Sequence, residues 1–416
     1  MSAEEPLIGA NLQEAPASAT PRGMSIPFVY LCCFFGGLAP LISWNTIYVS
    51  ESYFGYYFGS AFLSIVGLCQ NVPSLLALLL LIALNKSGAT DKFLPYFPAS
   101  VICVVLQTAG LLGIAIIIAV GGDSLDDVVY QVAVYGIVVG NGLTTGIGSG
   151  RLFSLAAEFP ARASAMMIAG AAAGALIPTG YNIAFLWLDS PQNLYVVFSL
   201  GVATLVVCLV VLAAWRKSKS WDIGVNGEEE DPDAEWDPEN PGKQHPDWSM
   251  LLPFFRRVAP LAGGCFWTMT ISLSLLSIVG VVPLSNPDHV DLSFWLIAVY
   301  NVGDLVGRQL GSALGMPTPA LLVVMALRTL LWPVVLVYIF VPYFQAWGDL
   351  YMVLVYFFIS SSSGFCLAVA SNNSQLICGF SMQDVCPIVG AIVATAIQTG
   401  LVFGIILSFG VYPFVS

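Results

Sequence analysis

Residues 193–215 read NLYVVFSLGVATLVVCLVVLAAW, and the chain continues Arg216-Lys217-Ser218-Lys219. A bilayer-spanning helix needs about 20 mainly apolar residues, and this run supplies them without one charge. It is apolar on every side of a helix. A membrane strand would alternate polar and apolar positions instead. A helix also satisfies its own backbone hydrogen bonds where no water is present. The basic cluster that follows marks one face of the membrane.

Working outward, ten more runs have the same character. The full set is 26–50, 60–84, 93–120, 128–157, 163–188, 193–215, 252–282, 291–314, 318–342, 348–378 and 387–411. Composition agrees. Of 416 residues, 57% are hydrophobic and 9% are charged, against about 25% charged in a soluble globular chain. The expected class is therefore an all-α, multi-pass integral membrane protein with eleven transmembrane helices.

The net charge of −12 is a local matter, because ten of the 25 acidic residues lie between Arg216 and Met250. No basic surface for nucleic acid exists. The segment 216–250 contains Glu228-Glu229-Glu230-Asp231 and few aliphatics, and reads as an acidic cytoplasmic linker. It divides the chain into a six-helix bundle over 25–215 and a five-helix bundle over 251–416. Residues 1–24 are polar, lack the apolar core of a signal peptide and read as a disordered cytoplasmic tail. The nine cysteines are scattered, and His245 and His289 fall in polar segments. No metal or other cofactor is expected.

Placing the N-terminus inside puts ten of the thirteen basic residues on the cytoplasmic side. The outer connections carry Asp123, Asp126, Asp127, Asp189, Asp288, Asp291 and Asp349 instead. This obeys the positive-inside rule, and an odd number of spans then leaves the C-terminus extracellular. The plasma membrane is the expected location.

The other three basic residues, Arg151, Arg308 and Arg328, lie inside spans. A charge at a helix centre costs about 2.5–3.5 kcal/mol on insertion scales, so such residues face a cavity or a partner. The richest stretch is Tyr300-Asn301-Val302-Gly303-Asp304-Leu305-Val306-Gly307-Arg308. Asn301, Asp304 and Arg308 share one helix face, and Asp304 and Arg308 are spaced i, i+4, close enough to pair. Two readings stand: a polar site facing a central cavity, or an interhelical staple. Gly303 and Gly307 begin a glycine row that continues to Gly311 and Gly315. A second row runs through Gly136, Gly140, Gly142, Gly146 and Gly150, and Gly170 with Gly174 form a third. Such rows permit close helix packing or sliding. In the first span, Trp44, Tyr48 and Glu51 fall on one face beside Asn45. An aromatic face there can stack on a planar ligand or anchor at the interface. Glu51 has no local partner and suits proton coupling or gating.

Catalysis is not expected. Val302-Gly303-Asp304 approaches the signature of intramembrane aspartyl proteases, but no second aspartate stands in another span. No span holds a histidine to activate a serine, and no GxxxxGK[ST] phosphate loop occurs.

Four stretches resemble the equilibrative nucleoside transporter family. Pro40-Leu41-Ile42-Ser43-Trp44-Asn45 is similar to its first-span L-P-W-N element, with Ser43 where the family has Pro. Gly150-Arg151-Leu152-Phe153-Ser154-Leu155-Ala156, running to Pro160, resembles the end of its fourth span. Asn301, Asp304, Gly307 and Arg308 match its eighth-span F-N-x-x-D-x-x-G-R signature, with Tyr300 for Phe. Gly390-Ala391-Ile392, Gly400, Gly404 and Ser408-Phe409 resemble its last span. The resemblance implies a major-facilitator-like six-plus-five bundle that moves nucleosides and sometimes nucleobases down their gradient by alternating access. Proton-coupled symport is the alternative. It also implies that Asp304 and Arg308 engage the ribose or position each other. Trp44 would lie against the ligand, with Tyr48, Asn45 and Asn301 supporting it, while Gly170 matches a family packing glycine. Ser149 stands where mammalian members carry a base-reading Gln, and Arg151 where they carry Ser, so Arg151 is the expected donor to a base carbonyl. The expected partners are a small-molecule substrate and the lipid bilayer. No protein partner follows from the sequence.

Overall fold

The computed structural model describes residues 25–59, 61–86, 93–157, 159, 161–188, 191–218, 248–279, 282, 292–345, 347–378 and 386–411. The proposed tail and most of the acidic linker lie outside these. The described chain is helical: α1 (Ile26–Tyr48), α2 (Glu51–Phe58), α3 (Phe62–Lys86), α4 (Tyr96–Gly121), α5 (Val128–Ala157), α6 (Ala161–Ala184) and α7 (Gln192–Arg216), then α8 (Trp248–Ser277), α9 (Leu292–Leu314), α10 (Thr318–Leu327), α11 (Leu331–Phe340), α12 (Pro342–Gln345), α13 (Asp349–Cys378) and α14 (Cys386–Phe409).

Ten helical segments among the described residues are long and apolar enough to cross a membrane, α10 and α11 together making one of them. The protein is an integral multi-pass membrane protein. Helix α9 has the length but is not among the ten, and its sequence explains why. Asn301, Asp304, Arg308 and Gln309 fall within its length. The large apolar side chains on the outside, such as Ile116, Val132, Val210 and Phe358, are exposed, as a surface bathed in lipid requires. Inside the spans, several hydroxyls are satisfied locally. Thr46, Thr108, Ser154, Thr204 and Thr395 each donate to the carbonyl one turn back in their own helix.

Two expectations need correction. The run 318–342 is not one helix, because a 3-10 turn at Arg328–Leu330 separates α10 from α11. Pro333 has no N–H for the carbonyl of Thr329, and its ring crowds that carbonyl, so the helix breaks one turn before the proline. Nor do Trp44, Tyr48 and Glu51 share one helix face. Helix α1 stops at Tyr48, and Glu51 opens the separate helix α2 after a turn at Val49 and Ser50.

The helices pack in two sets. In the first, α1 lies along α6 and α7, and α5 lies along α3 and α4. In the second, α9 lies along α13 and α8 along α14. Between the sets, α6 meets α9 while α3 and α5 meet α14.

The crossings within each set are backbone against backbone. A methyl group on Gly37 would overlap the Met167 carbonyl, and one on Gly170 the Phe34 carbonyl, so α1 and α6 approach as closely as chains can. Gly142 and Gly146 do the same for α5 on α3, Gly307 and Gly311 for α9 on α13, and Gly400 and Gly404 for α14 on α8. A methyl group on Gly136 or Gly140 would meet nothing within 4 Å, so their part of the row is not a packing surface. Gly315 has φ +60° and caps α9 rather than packing it.

Candidate functional site

Helix α9 carries the centre of the site. Its glycine face is committed to α13, where Gly303 and Gly307 lie on Ser360 and Ser361. In return Gly364 of α13 lies on the Asp304 carbonyl. This contact fixes the rotation of α9, and with it the direction of the polar face. Arg308 donates from Nε to Asp304 Oδ2 at 2.8 Å, the i, i+4 spacing placing the groups one turn apart. The pair is mostly enclosed, with 18% of Arg308 and 14% of Asp304 still exposed. The carboxylate can accept further hydroxyl bonds, and the guanidinium carries more N–H donors on its terminal nitrogens. Such a pair suits a ligand rich in hydroxyls and carbonyls.

Asn301, one turn earlier, is turned elsewhere. It is buried at 6% exposure, and its Nδ2 donates across to α6, to Thr179 Oγ1 at 2.9 Å and to the Ala175 carbonyl at 3.4 Å. Its amide therefore ties the two helix sets together instead of lying open beside Asp304. On α1, Trp44 is half-buried and leans on buried Tyr48, with ring centroids 5.0 Å apart. Asn45 donates back to the Leu41 carbonyl at 2.8 Å. Helix α6 touches both α1, which carries the aromatic pair, and α9, which carries the charged pair.

Ser149 is half-buried on α5. Arg151, two residues on and 4% exposed, has its guanidinium carbon 3.7 Å above the Tyr96 ring of α4. A cation against an aromatic face recovers part of the hydration it has lost. Its observed neighbour is thus an aromatic ring and not the carboxylate of Asp304.

Glu51 is also buried, at 7% exposure, and accepts a hydrogen bond from the Ser293 hydroxyl at the start of α9. Burial pushes its carboxyl above the usual range, and the serine bond opposes this. Its Oε2 has no partner among the described residues.

Arg328 is the most deeply held charge the sequence left without a role. At the break between α10 and α11 it is 3% exposed. It donates to the Ile359 carbonyl at 3.0 Å, to Ser362 Oγ, and to Ser272 Oγ at 2.6 Å. Its Nε finds no partner among the described residues. The Ser360–Ser363 run on α13 was the available signal, since four hydroxyls in an apolar span need a reason. In the first set, Thr145 Oγ1 receives Gln70 Nε2 at 3.0 Å and Gln107 Nε2 at 3.1 Å, and donates to the Pro40 carbonyl at 3.2 Å. Among the described residues, no group of three His, Cys, Asp or Glu converges as a metal would need.

Neither a protein-family model nor a curated relative matches this sequence. The fold is similar to the crystal structure of the human organic anion transporter MFSD10 (TETRAN), with TM-score 0.56 and 13% identity over 93% of each chain. That likeness gives the chain a major-facilitator-type fold. Weaker likenesses include the Major Facilitator Superfamily transporter FucP in its outward conformation, with TM-score 0.42, 16% identity, and 94% of this chain against 99% of that one. A mutant of the nucleoside transporter NupG aligns at TM-score 0.41 and 13% identity, over 93% of this chain and all of that one (100%).

Proposed function

We propose that this protein is a membrane transporter that carries nucleosides, and nucleobases as a further class, down their gradients by alternating access. The observation that carries the reading is the Asp304–Arg308 pair, a partly exposed carboxylate and guanidinium on a membrane-spanning helix. The eighth-span motif in which the pair sits supports the equilibrative nucleoside transporter assignment, and the major-facilitator-type fold is compatible with it. A nucleoside is uncharged, with a flat base and a hydroxyl-rich sugar. The charged pair suits the sugar and the Trp44–Tyr48 face suits the base.

In this reading α9 is the eighth of eleven spans. Residues 25–215 and 251–416 are the two bundles, 216–250 is a cytoplasmic spacer, and the N-terminus is cytoplasmic with the C-terminus extracellular in the plasma membrane. Ser149 and Arg151 line the base end, and no cofactor or catalysis is involved. The test is uptake of radiolabelled adenosine into vesicles containing the purified protein, with nucleosides and bases as competitors. Lack of uptake of every nucleoside refutes the assignment.

Buried Glu51, with one unpartnered oxygen, favours a second reading, proton-coupled symport. Collapsing the pH gradient and the membrane potential separates the two. Undiminished uptake removes coupling, while loss of accumulation removes the uniport.

A further inference from the structure

The two helix sets differ in how they are held within and between. Within each set, the closest crossings bring carbonyl and glycine into direct contact: Gly37 and Gly170 for α1 on α6, Gly307 for α9 on α13, and Gly400 for α14 on α8. Between the sets the hydrogen bonds are made by side chains, to side chains or to carbonyls. Ser64 of α3 and Ser408 of α14 share a hydrogen bond at 3.0 Å. Gln398 of α14 donates to the Asn71 side chain at 2.9 Å and to the Asn71 carbonyl at 3.1 Å. Asn301 of α9 donates to Thr179 of α6 at 2.9 Å, and Ser293 of α9 bonds Glu51 of α2.

Ser64–Ser408 and Glu51–Ser293 lie at one end of the bundle, and Asn71–Gln398 and Thr179–Asn301 lie between that end and its middle. Successive spans alternate in direction, so the start of α3, the end of α6, the start of α9 and the end of α14 all fall on the same face. Ser64 is at the start of α3 and Ser408 at the end of α14. At 1.5 Å per residue, even Asn71, Asn301 and Gln398 are within about 17 Å of that face. Three of the joints are hydrogen bonds between neutral groups, which exchange readily for water.

We propose that Ser64–Ser408, Asn71–Gln398, Thr179–Asn301 and Glu51–Ser293 form a polar seam. It closes the pathway at the face where α3 begins and α14 ends, and it must part in every transport cycle. Ser64, Asn71, Thr179 and Gln398 are thereby positioning residues, setting how the sets meet without touching the cargo. This rests on the transport reading, and under the proposed orientation the sealed face is the extracellular one.

The test uses Ser64→Cys with Ser408→Cys in a chain whose native cysteines are replaced. Hydroxyl oxygens 3.0 Å apart put thiols at the same two positions side by side. Oxidation is expected to cross-link the pair and abolish nucleoside uptake, reductant to restore it, and each single variant to ignore both reagents. Full uptake through the cross-linked protein, or failure of the pair to cross-link, overturns the seam. A second measurement needs no substrate: the rate at which an impermeant maleimide labels Ser408→Cys. Adding Asn71→Ala or Thr179→Ala should raise that rate about fivefold for each joint lost, and an unchanged rate overturns the proposal. If native protein moves no nucleoside while labelling responds as expected, the substrate assignment falls and the seam stands.

Discussion

Removing the two members of the Asp304–Arg308 pair singly and together separates a binding site from a staple. The guanidinium and the carboxylate are 2.8 Å apart and less than a fifth exposed. Arg308→Ala leaves an enclosed carboxylate without its cation, which destabilises by about 3–5 kcal/mol. Asp304→Asn keeps an acceptor oxygen for Arg308 but leaves the enclosed guanidinium without its counter-charge, a loss of the same order, about 3–5 kcal/mol. The double variant Asp304→Asn/Arg308→Gln carries two neutral amides at the same spacing and leaves neither member of the pair as a lone charge. Its destabilisation should fall short of the sum of the singles, with a coupling at the upper end of the usual range, about 2–3 kcal/mol. Thermal unfolding of the purified protein in lipid nanodiscs reads this term, and vesicle uptake reads function. The expected result is recovery of stability in the double variant without recovery of transport. Strict additivity would refute the pairing as an energetic unit. Uptake restored by the two amides would show that the charges hold helices and do not hold cargo.

Gly307→Ala should lower the unfolding midpoint, because its methyl meets the backbone of α13 and overpacking costs about 1–3 kcal/mol. Gly136→Ala meets nothing within 4 Å and should be neutral or stabilising, so an equal loss in both would refute the packing argument. Burial raises the Glu51 carboxyl above its ordinary 4.5, so its stabilising contribution is complete below that value and is lost as pH rises through the raised one. Unfolding midpoints measured from pH 4 upward should fall over that window, more shallowly in Glu51→Gln; identical slopes would contradict this. Arg328→Met fills similar volume and removes a buried cation with an orphaned Nε. It should not lower the midpoint, and a loss above about 3 kcal/mol would mean that the cation is neutralised by a nearby acid. Deleting 224–245 should leave uptake intact at equal surface expression.

The spans were legible because lipid imposes one crude requirement, about 20 apolar residues in sequence. The 304–308 pair was legible because both members sit on one helix, where spacing alone fixes their distance. Asn301 shared that face, yet its amide is spent on Thr179, 122 positions away, and no local pattern announces a partner so remote. Glu51 looked continuous with Trp44 and Tyr48 because Val49-Ser50 contains neither Gly nor Pro to mark the turn. The glycine rows showed which faces could approach another helix. Gly142 and Gly146 meet α3 while Gly136 and Gly140 do not, because at 100° per residue the latter two point away from the 142–146 face. Arg328 was visible as a misplaced charge, but its cage of Ser272 on α8 and Ser362 with the Ile359 carbonyl on α13 comes from two helices remote from it in sequence.

Where carbonyl lies directly on glycine, no compressible layer separates the helices. A push on α13 reaches α9 undiminished, and a push on α6 likewise reaches α1. Each set then behaves as a stiff lever about 30 Å long, the length of a 20-residue helix. A tilt of a few degrees at the hydrogen-bonded face becomes a displacement of ångströms at the far one. Lateral pressure in the surrounding membrane, which acts on the outline of the molecule and not on any single bond, would work against that tilt directly.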